Sequence, residues 1–523
     1  MGGWVVLEWV KALLGNSRVR QTDRETKLSS SLSVNRKRLS QAYGDSGDVI
    51  IRELRVGPRK IRVLLVLIDG LVDNVLIAET VMKPLARRGK DWKSPRQALQ
   101  ELSGGLLLNV GVRVTRTMKD LLEDVSRGGC AILIDGVDQG LSVVVPGWVQ
   151  RNPGEPDTEP VVRGPKEGFV ECLRTNTSII RRRIRDPRLR IEEYQIGRIS
   201  WTKVAVLYIE GVASKEVLGE LRSRINKIDV DGIGESGQIE ELIEDAPFSP
   251  FPTILRTERP DRVSGGLLEG RIAILTDGTP FALILPATFT MFFTTSEDYY
   301  ERFLIGTVLR LLRFTSFFIS LVLPGSYVAL LTFHQEMLPT PLILSIAAQR
   351  EGVPFPGVVE TFMMELTFEL LREAGTRLPR LVGSAISIIG ALVLGDAAIR
   401  AGLVSPAMVV VVAFTGIASF SAPIYSIATG ARILRFGLII LGGTMGLFGV
   451  VAGLFGLLIH LCCLRSFGTP YLEPLAPVIW SDLKDALVRF PWWAKRTRPS
   501  LIGVEDSIRQ VSGLQPSPPR EEG

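Results

Sequence analysis

The chain has 523 residues, of which 46% are hydrophobic, and its mean hydropathy is +0.24. This length predicts several domains, and the composition departs from that of ordinary soluble proteins. A net charge of +6 is modest for this length and lies in short clusters, so it does not indicate a nucleic-acid partner. Four cysteines imply no disulfide framework, and two histidines leave little material for a His-rich metal site or Ser/His/Asp catalysis.

The first 34 residues are predicted to be an amphipathic and flexible arm. Glu8 and Lys11 interrupt the apolar run of "MGGWVVLEWVKALLG", which therefore does not match a secretory signal. Trp4 and Trp9 belong to a possible short amphipathic helix that either lies on a membrane or docks on its own domain. A polar, flexible stretch follows at 15–34. Without a signal, the large hydrophilic half is expected to stay in the cytoplasm.

The hydrophilic half alternates strand and helix patterns. Three β-branched runs end in Asp-Gly, at Asp69, Asp135 and Asp277, and each predicts a strand that enters a tight turn. We interpret the three aspartates as turn residues rather than metal ligands, since none lies in a dense carboxylate cluster. The phrase "SGGLLEG" lacks the spacing of a phosphate or dinucleotide loop, so no cofactor is expected.

Helical patterns separate these strands, and the alternation predicts an α/β or α+β fold. The segment 151–165, "RNPGEPDTEPVVRGP", is rich in Pro, Gly and charge, as seams between domains often are. We therefore predict a first cytoplasmic subdomain at 35–155 and a second at 156–300.

The stretch "GPKEGFVECLRTNTSIIRRRI" (164–184) resembles a phosphate or nucleic-acid site, because a glycine turn precedes a run of arginines. Its acidic residues come first and its basic residues last, an order that suits the helix macrodipole without any ligand. Leu173, Ile180 and Ile184 recur on one helical face, and Pro187 ends the pattern. The favoured interpretation is an amphipathic helix with a solvated basic end.

The second half, 301–499, is predicted to be an all-α membrane domain. About four stretches are long and apolar enough to be considered as spans, at 314–333, 381–402, 406–423 and 434–464. The piece "PLILSIAA" is too short to cross, so it re-enters or lies at the interface against protein. Basic flanks at both ends of the domain place both termini inside, which requires an even number of crossings and favours four.

The fourth predicted span contains a glycine stripe. The members of this stripe recur at spacings of four and three, which places them on one helix face: Gly442, Gly446, Gly449, Gly453 and Gly456. Small residues let backbones pack closely in lipid, where apolar side chains gain little from meeting each other. Packing within one chain is at least as favoured here as a contact between subunits.

Charged residues inside the second half are the candidate ion-path residues. Glu365 and Glu369 lie in an amphipathic segment, 357–375, which is expected at the interface or facing an aqueous cavity. Asp396 and Arg400, four residues apart, are expected to pair on one face. Ionisable groups within a membrane usually face protein or water. A structural ion pair is favoured over a role in permeation for Asp396 and Arg400.

Several long segments stand in order from about 35 to 500: "SGDVIIREL", "LIDGLVD", "GPKEGFVECLRTNTSIIRRRI", "PFPTILRTERPDRVSGGLLEGRIAILTDGTPFALILP", "EMLPTPLILSIAAQREGVPFP", "ELTFELLREAGTRLP" and "PYLEPLAPVIWSDLKDALVRFP". Together they resemble the A subunits of bacterial spore germination receptors, the GerA family. The arm before these segments and the tail at 500–523, which is expected to be disordered, fall outside the pattern.

The resemblance implies an integral protein of the inner spore membrane that acts with an amino-acid-transporter-like B subunit and a lipoprotein C subunit. It also implies a homo-oligomeric ring that conducts monovalent cations when a nutrient is sensed. A ring of carboxylates is a common way to favour cations. The alternatives are a secondary transporter, for which no internal repeat of interrupted helices is found in the sequence, and a non-conducting scaffold. An enzyme is disfavoured because no nucleophile and base constellation is recognised.

Overall fold

The computed structural model describes residues 26–88, 92–106, 111–144, 154–156, 158–377, 395–502, 504–511 and 513–516. The predicted helix around Trp4 and Trp9, and most of the predicted span at 381–402, lie outside these residues.

The first subdomain is a five-stranded sheet covered by helices on both faces. In chain order its elements are α1 (Leu32–Tyr43), β1 (Val49–Val56), β2 (Ile61–Ile68), α2 (Asn74–Ile77), a π-helical turn (Ala78–Met82), α3 (Lys83–Arg88), α4 (Pro95–Glu101), a second π-helical turn (Leu102–Leu106), β3 (Val112–Thr115), α5 (Met118–Ser126), β4 (Gly129–Ile134) and β5 (Gly140–Val144). The strand order is β1-β2-β4-β5-β3, and all neighbours are antiparallel. Strand β2 is almost entirely apolar because Val63 and Leu65 enter one core while Leu64 and Val66 enter the other.

The second subdomain has the same strand order, β6-β7-β9-β10-β8, again antiparallel throughout. Its elements are α6 (Leu173–Arg183), β6 (Leu189–Ile196), β7 (Thr202–Ile209), α7 (Lys215–Asn226), α8 (Ser236–Ile243), β8 (Leu255–Thr257), α9 (Pro260–Leu268), β9 (Ile272–Thr276) and β10 (Ala282–Leu285). The predicted fold class is confirmed, and the antiparallel pairing gives both subdomains the α+β character.

Matching hydrogen bonds show that the two subdomains are structural repeats. The Asp135 carboxylate accepts from Leu32 N at the start of α1, and Asp277 accepts from Leu173 N at the start of α6, both at 3.0 Å. These two aspartates follow equivalent strands, β4 and β9. They are turn residues, as interpreted from the sequence, and they also cap the first helix of each repeat.

The sequence predicted a solvated basic end for α6, but the structure buries part of it. Arg181 is buried and binds the Asp48 carboxylate of the first subdomain through two nitrogens, each at 2.7 Å. Arg183 binds Glu167 at 3.0 Å, whereas Arg185 remains exposed. The correction has a simple cause: a face adjacent to the apolar stripe meets another subdomain, which the sequence of one helix does not reveal.

Two segments that were assigned to flexible termini have ordered contacts. Leu28 and Leu32 are buried in the first subdomain, and Leu28 N donates to Arg116 O. Near the other end Ile502 is buried, and Ser500 N donates to the Asp482 carboxylate at 2.8 Å. The first subdomain therefore begins before residue 35, and the part of the tail that the structure describes up to 511 packs on the domain.

The helical half contains α10 (Phe303–Phe333), α11 (Thr340–Arg350), α12 (Gly357–Arg377), α13 (Gly395–Arg400), α14 (Pro406–Phe420) and α15 (Tyr425–Cys463). Within the described residues, α10 and α15 are long and apolar enough to cross a membrane, and α14 is a shorter apolar helix. A short hairpin, β11 (Arg465–Ser466) and β12 (Thr469–Pro470), leads into a C-terminal segment, 465–511, that returns to the second subdomain.

Helix α15 reverses direction at Gly446, where the sequence pattern predicted one long span. Gly446 has φ 67° and ψ −151°, a conformation that glycine adopts without the strain of a side chain. A Cβ added at Gly453 would lie 2.7 Å from the Leu438 side chain, so the chain after Gly446 runs back along the chain before it. We call 425–445 the first arm and 447–463 the second arm.

Helices α10 and α12 pack against the first arm of this hairpin, and α14 packs against α12. Gly325 of α10 packs against the first arm, since an added Cβ would lie 2.8 Å from Leu438 O. Helix α12 runs antiparallel to the first arm, with Phe362 against Phe436 at a ring separation of 5.1 Å. Helix α14 runs parallel to α12, because Ser405 at its start contacts Glu360 while Ser419 near its end contacts Arg372.

One hydrophobic core joins the helical half to the second subdomain. Phe289, which follows β10, packs against Phe314 and Phe317 of α10 with ring separations of 6.4 and 6.0 Å. The side chain of Ser249 meets His460, near the end of the second arm, at 2.9 Å. The two ends of the α15 hairpin and the base of α10 therefore rest on the same side of the second subdomain.

Candidate functional site

Helix α12 presents a row of carboxylates to its neighbours. Glu360, Glu365 and Glu369 have side chains with exposed fractions of 0%, 0% and 20%. Glu365 and Glu369 are four residues apart and share one face of the helix, which meets α15, whereas Glu360, five residues before Glu365, is turned towards α14. The row faces α14 and the first arm of α15, so the two acidic residues singled out in the sequence are brought together at a helix interface.

The lower part of this row forms a charge cluster with three arginines. Glu365 Oε2 binds Arg435 Nη1 at 2.8 Å, and Glu369 Oε2 binds Arg432 Nη1 at 3.0 Å. Glu369 Oε1 also lies 3.4 Å from Arg372 and 3.5 Å from Arg435. Two carboxylates thus face three guanidinium groups, a formal excess of one positive charge. We call these five residues the α12–α15 charge cluster.

The charge cluster retains unused hydrogen-bonding capacity. Glu365 Oε1 and the Nε atoms of Arg372, Arg432 and Arg435 are buried without a hydrogen-bond partner among the described residues. Buried ionic groups are stable when paired and fully hydrogen-bonded, and a missing partner is costly. These four atoms are therefore buried polar groups that need further hydrogen-bond partners.

The third carboxylate of the row has a structural role. Glu360 Oε1 accepts from both the backbone nitrogen and the hydroxyl of Ser405, each at 2.6 Å. Ser405 is the N-cap of α14, and its hydroxyl accepts from Met408 N. Arg350 of α11 lies 3.6 Å from the other Glu360 oxygen. Glu360 therefore fixes the start of α14 against α12 and α11.

Asp396 and Arg400 form the expected pair within one turn of α13, at 2.8 Å between Arg400 Nε and Asp396 Oδ2. Their side chains are 56% and 79% exposed, so the pair belongs to the surface of the chain. This pair lies within one helix, whereas the bonds of the charge cluster connect α12 with α15. The four residues proposed from the sequence thus fall into one buried group and one exposed pair.

The glycine stripe contributes close contacts at four of its five positions. An added Cβ would collide with Gly325 O at Gly442, with His334 and Phe333 at Gly446, and with the first arm at both Gly449 and Gly453; at Gly456 it would meet nothing within 4 Å among the described atoms. The stripe therefore serves packing within the chain, partly against α10 and partly between the two arms.

Gly442→Leu is expected to destabilise the helical half by about 1–3 kcal/mol, because the new side chain would displace the backbone of α10 at Gly325. Gly456→Leu is the matched control and is expected to change the melting temperature little. Thermal unfolding of the purified protein in detergent compares them. Equal melting temperatures for both variants would show that the Gly442 contact does not hold the helices together.

Arg432 and Arg435 are functional candidates that the sequence analysis missed. They stand in "GARILRFGLII", at the start of a long apolar run, and both side chains are largely buried. An ionisable residue inside such a run is itself a signal of function. Their partners in α12 lie 63 and 70 residues earlier in the chain, so spacing alone did not pair them.

Comparisons with known proteins identify the family of this chain. The family model described as "Bacillus/Clostridium GerA spore germination protein" matches residues 37–501. The chain belongs to this family. Among its relatives, Spore germination protein KA of Bacillus subtilis (strain 168) is 48% identical over 505 residues, which cover 96% of this chain and 92% of that protein. Spore germination protein GerLA of Bacillus cereus is 40% identical over 471 residues, covering 90% and 95%.

The chain is also similar to a solved structure, the crystal structure of the N-terminal domain of the A subunit of the Bacillus megaterium spore germinant receptor GerK3. The identity is 36% and the TM-score 0.41, with 51% of this chain and 98% of that chain covered. Membership of the GerA family, together with the apolar helices α10 and α15, assigns the chain to membrane-associated spore germination proteins.

Proposed function

We propose that this chain is the A subunit of a spore germination receptor and oligomerises into a nutrient-gated channel for monovalent cations. The observation that carries the proposal is the α12–α15 charge cluster, in which carboxylates and guanidinium groups are buried between helices of an apolar bundle. Charges are kept in such a setting chiefly where they serve an ion path or a switch. The channel acts without enzymatic chemistry.

The partners proposed from the family are an amino-acid-transporter-like B subunit and a lipoprotein C subunit in the inner spore membrane. The B subunit binds the nutrient, and copies of the A subunit surround the ion path. Glu365 and Glu369 contribute to this path from the buried cluster, and Asp396 with Arg400 contributes an exposed charged pair. Three arginines outnumber the two carboxylates in this arrangement, so the proposed path requires the helices to move before Glu365 and Glu369 attract a cation.

Flux through reconstituted oligomers tests the ion path. Glu365→Gln and Glu369→Gln are expected to lower cation conductance or selectivity several-fold, because each removes negative potential from the path. The oligomeric state of each variant is measured in parallel, and Asp396→Asn tests the exposed pair in the same assay. Unchanged conductance and selectivity in correctly assembled variants of Glu365 and Glu369 would reject their place on the path.

We further propose that the helical half crosses the membrane six times, with both termini in the cytoplasm. The proposed crossings are α10, α12, the predicted span at 381–402, α14 and the two arms of α15. Support comes from the reversal at Gly446 and from the direction of α12, which returns from the far end of α10 towards the second subdomain. A first arm of 21 residues rises about 32 Å, enough to cross a bilayer core of about 30 Å. The proposed number of crossings is therefore six instead of the four predicted from the sequence, and it is still an even number.

Cysteine labelling distinguishes six crossings from four. The exposed natural cysteines, Cys172, Cys462 and Cys463, are first replaced by serine. With six crossings, an impermeant reagent added outside labels Glu336→Cys beyond the end of α10 and does not label Tyr425→Cys at the start of α15. With a single span at 434–464, Tyr425→Cys would also be labelled from outside, and this result would contradict the hairpin in the membrane.

A further inference from the structure

A partly enclosed cavity of about 240 Å³ lies where three parts of the chain meet. Arg271 lines it from the second subdomain, Thr290 from the segment that leads to α10, and Glu473 and Asp482 from the C-terminal segment. None of these residues belongs to the α12–α15 charge cluster. The cavity is therefore a separate feature, at the base of the helical half.

Glu473 is a buried carboxylate without a full set of partners. The residue is 2% exposed, and its Oε1 accepts from Leu501 N at 3.3 Å. Its Oε2 is buried and has no hydrogen-bond partner among the described residues. A buried carboxylate oxygen is costly to leave unpaired, so this atom marks the place where the cavity needs a donor.

A second carboxylate at the same cavity also has no basic partner within 4 Å among the described residues. Asp482 accepts from Ser481 Oγ and from the backbone and hydroxyl of Ser500, each at 2.8 Å. The other acidic residues of the lining are paired: Asp261 with Arg259, Glu269 with Arg271 and Arg509, and Asp485 with Arg310 and Lys495. Glu473 and Asp482 are therefore the lining carboxylates without a basic partner within 4 Å among the described residues, whereas Glu269 and Asp485 each face two basic side chains.

Burial raises the pKa of Glu473 to about 7, with the charge of Asp482 acting in the same direction and Arg271 opposing it. The carboxyl is therefore mostly ionised above neutral pH and mostly protonated below it. Ionisation in a buried site is favoured when a positive ligand approaches.

We propose that this cavity binds a small organic cation that carries an ammonium group. The lining offers Glu473, Asp482 and Thr290 as acceptors for the N–H bonds of such a group, and Met291 and Pro474 line the space for a short carbon chain. A tightly held metal ion fits less well, since the described residues offer no group of three or more His, Cys, Asp or Glu side chains that would hold one. The volume also exceeds the roughly 30 Å³ that one water occupies.

An occupant of the cavity links the C-terminal segment to the base of α10. Asp485, next to the cavity, already binds Arg310 of α10 at 3.2 Å, and Arg310 also binds Asp298 at 3.3 Å. A bound cation adds a further connection between these elements. The inference goes beyond the proposed channel and does not depend on it.

Calorimetry on the full chain in detergent tests the site, with n-butylammonium chloride as the probe and potassium chloride at equal ionic strength as the reference. Saturable binding is expected near pH 8 and is expected to be about tenfold weaker near pH 6, because the ionised fraction of Glu473 falls by about that factor. Glu473→Gln is expected to weaken binding by about tenfold or more, since an amide carries no charge. Glu505→Gln changes a carboxylate of the same segment that lies outside the cavity. This variant is expected to bind n-butylammonium with the affinity of the unmodified chain.

Met291→Trp provides a second variant should Glu473→Gln fail to fold, because it fills the cavity and leaves both carboxylates in place. Loss of n-butylammonium binding in this variant supports the site. Three results would overturn the proposal: equal binding by Glu473→Gln, saturable potassium binding that displaces the amine, or no saturable binding at all.

Discussion

Arg435→Met is expected to lower the stability of the helical half by about 3–5 kcal/mol, because it leaves the buried Glu365 carboxylate without its partner. Arg435 is 1% exposed, Glu365 is fully buried, and their contact is 2.8 Å. Removing one member of a buried pair costs more than the pair itself contributes, since the remaining charge stays in a medium of low polarity. The melting temperature of the purified chain in detergent measures the loss.

Two further variants make this result specific. Arg435→Met combined with Glu365→Leu is expected to recover much of the stability, because neither charge then remains buried. Arg400→Met removes the same type of side chain from the exposed Asp396 pair and is expected to cost no more than about 0.5 kcal/mol. A double variant as unstable as Arg435→Met would show that Glu365 is not the partner whose isolation causes the loss.

Arg181→Met is expected to have a comparable effect, about 3–5 kcal/mol, on the association of the first and second subdomains. Arg181 and Asp48 have side chains that are 3% and 7% exposed, and the guanidinium binds the carboxylate in a bidentate fashion. The substitution isolates Asp48, which among the described residues then keeps only the Ser46 hydroxyl at 2.8 Å as a side-chain partner. Limited proteolysis within the seam at 151–165 should become faster as the subdomains separate.

The exposed neighbour Arg185 provides the control for this interface. Arg185→Met changes the same type of residue beyond the same helix and is expected to leave both proteolysis and melting within the range of ordinary surface substitutions, about 0.5 kcal/mol. Combining Arg181→Met with Asp48→Leu should restore resistance to proteolysis in part. If Arg181→Met is cleaved no faster than the unmodified chain, the bidentate pair does not hold the subdomains together.

Local patterns were sufficient to predict many elements of this fold. Apolar residues at helical spacing placed α6, and Pro187 marked where it had to end. Asp-Gly after β-branched runs placed the turns at Asp135 and Asp277, because the side chain of an aspartate and the freedom of a glycine act within a few residues. The four-residue spacing of Asp396 and Arg400 likewise predicted their pair, since both lie on one helical face.

Contacts between distant segments could not be derived in the same way. The partners of Glu365 and Glu369 come from another helix, and the Asp48 partner of Arg181 comes from another subdomain. Periodicity shows which face of a helix is apolar or charged, but it does not show which surface that face will meet. The same limit explains why the basic end of α6 was expected in solvent although Arg181 is buried.

By itself the sequence determined the division into a charged half of alternating strands and helices and an apolar helical half, the turns at the strand ends and the membership of the GerA family. Only the tertiary structure decided the common strand order of the two subdomains, the pairing of α12 with α15 and the reversal at Gly446. The apolar pattern continues unchanged across Gly446, so composition reads it as one helix. A single glycine with positive φ, set against Phe333 at the end of α10 and His334 just after it, turns that helix into a hairpin.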